Sequence, residues 1–356
     1  MRVVRLLVRT ACHRTVRSVC GTRYTGSCSV KMTIREGSAF INLPEGVFYN
    51  PVQEFNRDLT IAVVKHYAKK HFEEFINKGI KKAGEKGAPE PVTYSGLSVL
   101  EALSASGLRS IRFAKEVPLL NKVVANDLDP NAVRLIEENV RLNAVGDSVV
   151  PSCADAVGLM HDSVKNKFHV VDIDPYGTAV PFLDAAVQCL FDGGLLCVTC
   201  TDMAVLCGSA AGTAYGKYGG VAIKMAAQHE QGLRLLLHAM QQAASRYDRV
   251  IEPLLSLSID FYARVFVRVR TSPSRVKRIA SRLAIIYSCT GCQVGLFLSI
   301  LFFMSDDHRF WLRPLQSDGS ICPITLHVVV IEVAMLSSGM KYEGSVINLV
   351  VLNVLI

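Results

Sequence analysis

The 356-residue chain contains no stretch of 18 or more apolar residues, and without one no membrane-spanning helix is expected. Its eleven cysteines lack the regular spacing of a disulfide framework. The length is also wrong for a small secreted scaffold, so reduced thiols are expected. Internal repeats and low-complexity tracts are absent as well. Acidic residues are missing from the first 35 positions, which carry Arg2, Arg5, Arg9, Arg14, Arg17, Arg23, Lys31 and Arg35. The remaining 31 bases match the 31 acids, so the body is neutral and the head cationic. Half of the chain is hydrophobic and a fifth is charged, enough apolar material for a core and incompatible with a disordered, collagen-like or coiled-coil protein.

An acid-free head rich in Arg, Ser and Thr has the composition of a mitochondrial transit peptide. Arg2, Arg5 and Arg9 recur at helical spacing, and a membrane potential, negative inside, draws such a segment inward. Residues 1 to 35 are therefore expected outside the fold.

Beyond the head, Glu36 to Pro51 is rich in turn formers, and Glu54 to Asn77 shows a helical apolar stripe. Lys78 to Pro91 reads as an exposed loop. An alternating series follows. Strands are expected at 97–103, 122–126, 149–153, 168–173 and 194–199, and helices at 107–115, 130–142, 156–165, 180–191 and 221–246. Two final strands, 250–259 and 262–269, are joined by a connection too short for a crossover and must pair antiparallel. This rhythm predicts an α/β fold with a largely parallel sheet covered on both faces. It resembles the Rossmann-like sheet of class I methyltransferases that use S-adenosylmethionine (SAM), mostly parallel with an antiparallel final strand.

In an open α/β sheet, ligands sit beyond the carboxyl ends of the strands. The first such turn, Glu101-Ala-Leu-Ser-Ala-Ser-Gly-Leu-Arg109, has one glycine where a dinucleotide-binding turn has three. A turn of this kind suits a ligand with no phosphate to cradle, such as SAM, and disfavours an NAD-linked dehydrogenase. Asp127 ends the second strand, 20 residues after Gly107, where an acid can accept ribose hydroxyls. Asp155 follows the third strand, placed to receive an adenine amino group with Ala156 packing beside it. The fourth strand ends in Asp172-Ile-Asp-Pro-Tyr-Gly177. An exocyclic base amine is a poor nucleophile because its lone pair is delocalised. Accepting its N–H bonds at Asp174 and a neighbouring carbonyl would orient it and favour a pyramidal nitrogen, and in-line positioning against an already activated methyl supplies much of the rest. Asp174 can also take the released proton.

Phe48-Tyr-Asn-Pro51, Asn56-Arg-Asp58, Ala102-Leu-Ser-Ala-Ser-Gly-Leu-Arg109, Asn126-Asp127, Asp172-Ile-Asp-Pro-Tyr-Gly177 and Thr201-Asp202 together resemble the tRNA (guanine-26 N2)-dimethyltransferase family, and the chain looks like an animal member. The resemblance covers residues 36 to 292. It implies that Arg57, Arg109, Asp127, Asp155 and Ala156 contact SAM, that Asp174 is the catalytic carboxylate and that Phe48 stacks on the target guanine. It further implies tRNA as substrate, two successive methyl transfers to one amine, and a mitochondrial location with a nuclear or cytoplasmic pool. Arg264, Arg268, Arg270, Arg275, Lys277, Arg278 and Arg282 place seven bases in nineteen residues, a strip suited to tracking phosphates.

Two cysteine pairs have C-x-x-C spacing. Cys197 and Cys200 lie in a predicted strand, where positions three apart point to opposite faces. Cys289 and Cys292 form an incomplete zinc half-site, because a structural zinc wants four ligands and the second C-x-x-C of the family does not follow. The expected layout is a targeting head at 1–35, a methyltransferase domain at 36–292 and an atypical apolar tail at 293–356 in place of the family's C-terminal domain. Residues 293–356 hold only eight Asp, Glu, Lys or Arg residues. Activity impaired by a weaker grip on tRNA is expected, with a catalytically silent form that binds SAM or a partner as the second reading.

Overall fold

The computed structural model of the chain describes residues 30–44, 49–86 and 93–289, with short strands at 295–299, 303–304, 310–311, 324–325, 330–332 and 347–348. A hairpin, β1 (Val30–Glu36) and β2 (Ala39–Pro44), precedes the long helix α1 (Glu54–Lys86). The alternating body follows: β3 (Leu97–Glu101), α2 (Leu108–Glu116), β4 (Leu120–Asp127), α3 (Pro130–Leu142), β5 (Val149–Cys153), α4 (Ala156–Asp162), β6 (Phe168–Ile173), α5 (Val180–Cys189) and β7 (Leu190–Cys200). Two short helices, α6 (Met203–Leu206) and α7 (Ala211–Tyr218), lead to α8 (Gln228–Ser245), β8 (Arg249–Ile259) and β9 (Tyr262–Thr271). A turn of helix, α9 (Pro273–Val276), precedes β10 (Leu283–Cys289) and β11 (Gly295–Ser299).

The main sheet runs β8-β9-β7-β6-β3-β4-β5, with residues 347–348 on the outer edge of β8. The neighbours from β7 to β5 are parallel, and β9 is antiparallel to both β7 and β8. The expected sheet, mostly parallel with an antiparallel final strand, is therefore present, with β9 inserted between β7 and β8. Alternate residues on each strand serve opposite faces. On β7, Leu196, Val198 and Cys200 enter one core with α4, α5 and α8. Leu195 and Cys197 enter a second core with α1, α2, α3 and β2. Burial on both faces explains why these strands read as unbroken apolar runs.

Local sequence explains several boundaries. Asp129 accepts from the Asn131 amide and Pro130 occupies the first turn, so α3 starts where its cap dictates. Gly107, at φ 75, opens α2 and brings it so close to α3 that a Cβ would meet Ile136 Cγ2 at 3.1 Å. Only glycine supplies both the left-handed conformation and the missing atom.

Four expectations need correction. The hairpin begins at Val30, so the last residues of the stretch assigned to the head belong to the fold. Ala39, Ile41 and Leu43 are buried in the second core, and β2 is docked on α3 by Asn42 N donating to Asn139 Oδ1 (2.8 Å) and Phe40 N to Asn143 Oδ1 (3.0 Å). Helix α1 runs on to Lys86 through the segment read as a loop, because glycine costs only about 1 kcal/mol in a helix and does not by itself end one. The apolar run around 190 is strand rather than helix: β7 starts at Leu190, an ambiguity that periodicity cannot resolve in short apolar segments. Helix α8 starts at Gln228 rather than 221. In addition, β10 and β11 pair antiparallel across the domain boundary expected at 292.

Candidate active site

The turns at the carboxyl ends of β3, β4, β5 and β6 are stitched to one another. Asn126, wholly buried, donates its amide to Ala102 O (3.1 Å) and Ala154 O (3.0 Å). Ser104 N donates to Asn126 O (2.7 Å), and Ala102 N to Asp172 O (3.0 Å). These bonds pull four strand tips into one rim. Ala105 sits at φ 48, a left-handed backbone uncommon for a residue with a Cβ, and its amide donates to Asp127 Oδ2 (2.9 Å). The other Asp127 oxygen accepts from Asp129 N (3.0 Å).

These residues fit SAM. A carboxylate has about four acceptor sites, so after its two backbone bonds Asp127 retains a lone pair on each oxygen for a ribose diol. Asp155 caps α4 through Gly158 N (2.8 Å) and is exposed at the rim. Ala156 is 4% exposed and belongs to the core, so what it can offer a ligand is its amide in the first helical turn, which has no intrahelical acceptor.

At the tip of β6 a chain of buried charges replaces the expected open carboxylate. Arg109, 5% exposed, donates Nη1 to Asp172 Oδ2 (2.8 Å) and Nη2 to Asp174 Oδ2. Glu101 Oε1 lies 4.0 Å from its Nε. Asn56 Nδ2 stands 3.4 Å from the same Asp174 oxygen. Burial raises the proton affinity of Asp174, but the positive charges of Arg109 and Arg264 and hydrogen bonds from Arg109 and Thr199 overcome it and hold the carboxyl below its usual range. Glu101 goes the other way: burial, opposed by Arg109 and Ser110 and aided by Asp172, pushes it up to about 7. Asp174 is thus an ionised acceptor at neutral pH, with a side chain 22% exposed at the mouth of the cluster.

The structure brings Arg109 and Asp174 together and places Asp127, Asp155 and Ala156 on the adjoining turns. Arg57 it places differently. Its guanidinium grips buried Glu36, with Nε 2.7 and 2.9 Å from the two carboxylate oxygens, and it lies over the Tyr49 ring at 5.3 Å. Phe48 and Cys292 lie outside the described residues, and Cys289 lies in β10. Cys197 and Cys200 enter opposite cores, as strand spacing requires, and burial pushes both thiols up, Cys200 to about 12. Among the described residues no group of three or more His, Cys, Asp or Glu is arranged to hold a metal ion. Nor is any of their helices long and apolar enough to cross a membrane.

The basic strip is largely spent inside the protein. Arg264 is fully buried, its Nη2 2.9 Å from Asp172 Oδ1. Arg268 pairs with Glu74 (2.7 Å), and Arg270 and Arg275 pair with Glu252 (2.8 and 2.5 Å). Four of the seven bases therefore face carboxylates rather than solvent phosphates. Sequence reasoning also passed over Asn56, Asp172 and Thr199, although Asn56 and Asp172 stand inside the motifs it quoted.

The sequence model of the family "N2,N2-dimethylguanosine tRNA methyltransferase" matches residues 27–329, starting near the hairpin and ending beyond Cys292, where the resemblance was expected to stop. The chain is 48% identical over 297 residues to the tRNA (guanine(26)-N(2))-dimethyltransferase of Mus musculus, covering 73% of this chain and 44% of that protein. It is 43% identical over 289 residues to the Saccharomyces cerevisiae protein of that name designated mitochondrial, covering 73% and 51%. The chain thus spans about half the length of the curated relatives it matches. Among solved structures it is similar to Trm1 from Pyrococcus horikoshii in complex with S-adenosyl-L-methionine. That match has a TM-score of 0.65 and 28% identity, and covers 80% of this chain and 73% of that one. On sequence and on fold alike, the chain belongs to the N2,N2-dimethylguanosine tRNA methyltransferase family.

Proposed function

We propose that this chain is a SAM-dependent tRNA methyltransferase that dimethylates the exocyclic N2 amine of guanine 26. The observation that carries the reading is the placement of Asp174: an ionised carboxylate at the carboxyl end of β6, fixed by Arg109 on a rim shared with Asp127 and Asp155. In this reading Asp127 accepts the ribose hydroxyls, Asp155 receives the adenine amine, and the turns carrying Arg57, Arg109 and Ala156 shape the rest of the cofactor cleft. Bound SAM supplies a methyl group on a positively charged sulfur. Asp174 would accept a hydrogen bond from the guanine amine, turn the nitrogen lone pair toward that methyl and take the proton as the N–C bond forms and the S–C bond breaks, its electron pair returning to sulfur in the departing thioether. Phe48 stacks on the guanine, the role that family resemblance implies for it.

The layout we propose is a mitochondrial targeting head of residues 1–29, a methyltransferase domain from Val30 to about residue 292, and an apolar segment beyond it. Family membership, the cationic head and the mitochondrial designation of the yeast relative support this reading, with a nuclear or cytoplasmic pool as a second destination.

The test is mass spectrometry of nucleosides from tRNA incubated with the purified chain and methyl-labelled SAM. Labelled N2,N2-dimethylguanosine is expected from the chain, with at least about 100-fold less from Asp174→Ala. Equal labelling by the two would refute the assignment, and no labelling by the unaltered chain would favour a silent SAM-binding form.

A further inference from the structure

Behind Asp174 and Arg109 the protein buries two more charged side chains, Asp172 and Arg264, to which the proposed reaction gives no role. Arg264 arrives from β9, two strands away from β6, and is 0% exposed. Its Nη1 donates to Thr199 Oγ1 on β7 and its Nη2 to Thr60 Oγ1 on α1, both at 2.8 Å. Nη2 also lies 2.9 Å from Asp172 Oδ1, an ion pair in which both side chains are fully buried. The second Asp172 oxygen takes Arg109 Nη1, and the other arm of Arg109 ends on Asp174. The order from core to cleft is Arg264, Asp172, Arg109, Asp174, with signs alternating throughout.

Folding does not explain this chain. Taking a charge out of water costs several kcal/mol, and replacing a buried ion pair by apolar residues is often neutral or stabilising. Four such groups in contact, ending at the one partly open carboxylate, instead suit a site whose orientation and charge must be set in advance.

We propose that Asp172 and Arg264 are positioning residues which, acting through Arg109, orient Asp174 and set how strongly it holds a proton. This deepens the reading of Asp174 as the amine acceptor and rests on it. Arg109 alone against Asp174 would tie down the carboxylate. Asp172 draws off part of that pull, and Arg264 keeps Asp172 from taking all of it. The two residues therefore act on Asp174 in opposite senses. Removing the Asp172 charge leaves more of the pull of Arg109 to Asp174 and weakens Asp174 as a proton acceptor. Removing the Arg264 charge turns Asp172 fully on Arg109 and makes Asp174 easier to protonate. The other groups acting on Asp174 are Thr199 and Cys200 from β7 and Tyr262 from β9, while Glu101 from β3 acts on Arg109 and Asp172. From α1 the contact is the uncharged Asn56. None of these gains or loses its position in the two substitutions.

The experiment titrates the side-chain carboxyl carbons of the full chain labelled with 13C-aspartate, the Asp174 signal being identified by its loss in Asp174→Asn. Asp172→Asn is expected to move the Asp174 midpoint down and Arg264→Gln to move it up, each by about one pH unit. The acid limb of the methyl-transfer rate should move in the same two directions with the KM for SAM unchanged. Should Arg264→Gln fail to fold, Thr60→Val, which removes one anchor of Arg264, keeps every charge and leaves the Thr199 bond to Asp174 in place, should raise the midpoint by a smaller amount. Midpoints that stay put, or that move the same way in both variants, overturn the proposal. A chain that transfers no methyl group yet gives the two opposite titrations refutes the proposed activity and leaves the charge chain standing.

Discussion

Two clusters of buried charge can be compared. One, at the junction of hairpin, α1 and α2, is centred on Glu36, which is 1% exposed. It takes Arg57 (2.5 Å) and Arg112 (2.8 Å) and accepts from Tyr49 Oη (2.9 Å). Arg112 goes on to Asp58 and Glu116. The other is the chain beneath Asp174. Both hold two arginines against buried carboxylates, and in both the arginines overcome the upward push of burial on an acid, Glu36 in one and Asp174 in the other. They differ in where the buried acid points. Glu36 is enclosed with its oxygens taken up by three partners from the protein itself, whereas Asp174 stands at the rim with its side chain 22% exposed. Equal chemistry thus fastens elements together in one place and holds a reactive group ready in another.

The comparison can be broken at its strongest point. Glu36→Ala leaves Arg57 without its carboxylate and takes one of three from Arg112, and should cost ~3 kcal/mol or more of stability, since breaking a buried pair leaves uncompensated charge. Asp174→Ala should cost well under that, because Arg109 keeps Asp172 and the lost side chain is partly open. Urea melts of the two variants measure both, and equal losses would erase the distinction drawn between them.

A smaller effect sharpens the division of labour along the rim. Asp127→Ala removes an acceptor whose oxygens are already placed by Ala105 and Asp129, and should weaken SAM binding roughly 10-fold or more. Calorimetry would show it, and an unchanged affinity would detach Asp127 from the cofactor.

The smallest effect concerns Glu101, raised to about 7 in the folded protein. A carboxyl raised on folding stabilises the fold fully below its unfolded value, and that contribution is lost as pH climbs through the folded one. Glu101 should therefore subtract stability between about pH 4.5 and 7, and Glu101→Gln should flatten this part of the curve in thermal melts across that range. Glu36, held low, acts in the opposite direction at acid pH, so the two carboxyls are separable by where each slope falls.

Much of the architecture was legible along the chain. Strands β5 and β6 and helix α3 fall where the pattern puts them, because apolar alternation, caps and proline are local signals. The rim was legible too, since each acid stands directly after a readable strand. Arg264 was not: as one of seven bases within nineteen residues it looked like a phosphate contact, and nothing in its neighbours reveals that β9 inserts next to β7 and brings it over Asp172. The hairpin was hidden as well. Its turn-forming composition reads as loop, and its strands gain their core only by docking on α2 and α3, far along the chain.

The sequence by itself determined the alternating α/β order, the cationic head and the identity of the acids at the strand ends, because period, cap and turn chemistry act over a few residues. Only the tertiary structure decided which of those acids is held by buried arginine, and which arginines are spent in holding it. Charge state in a protein interior depends on burial and on partners within a few ångströms, and here those partners come from α1, α2, β6, β7 and β9.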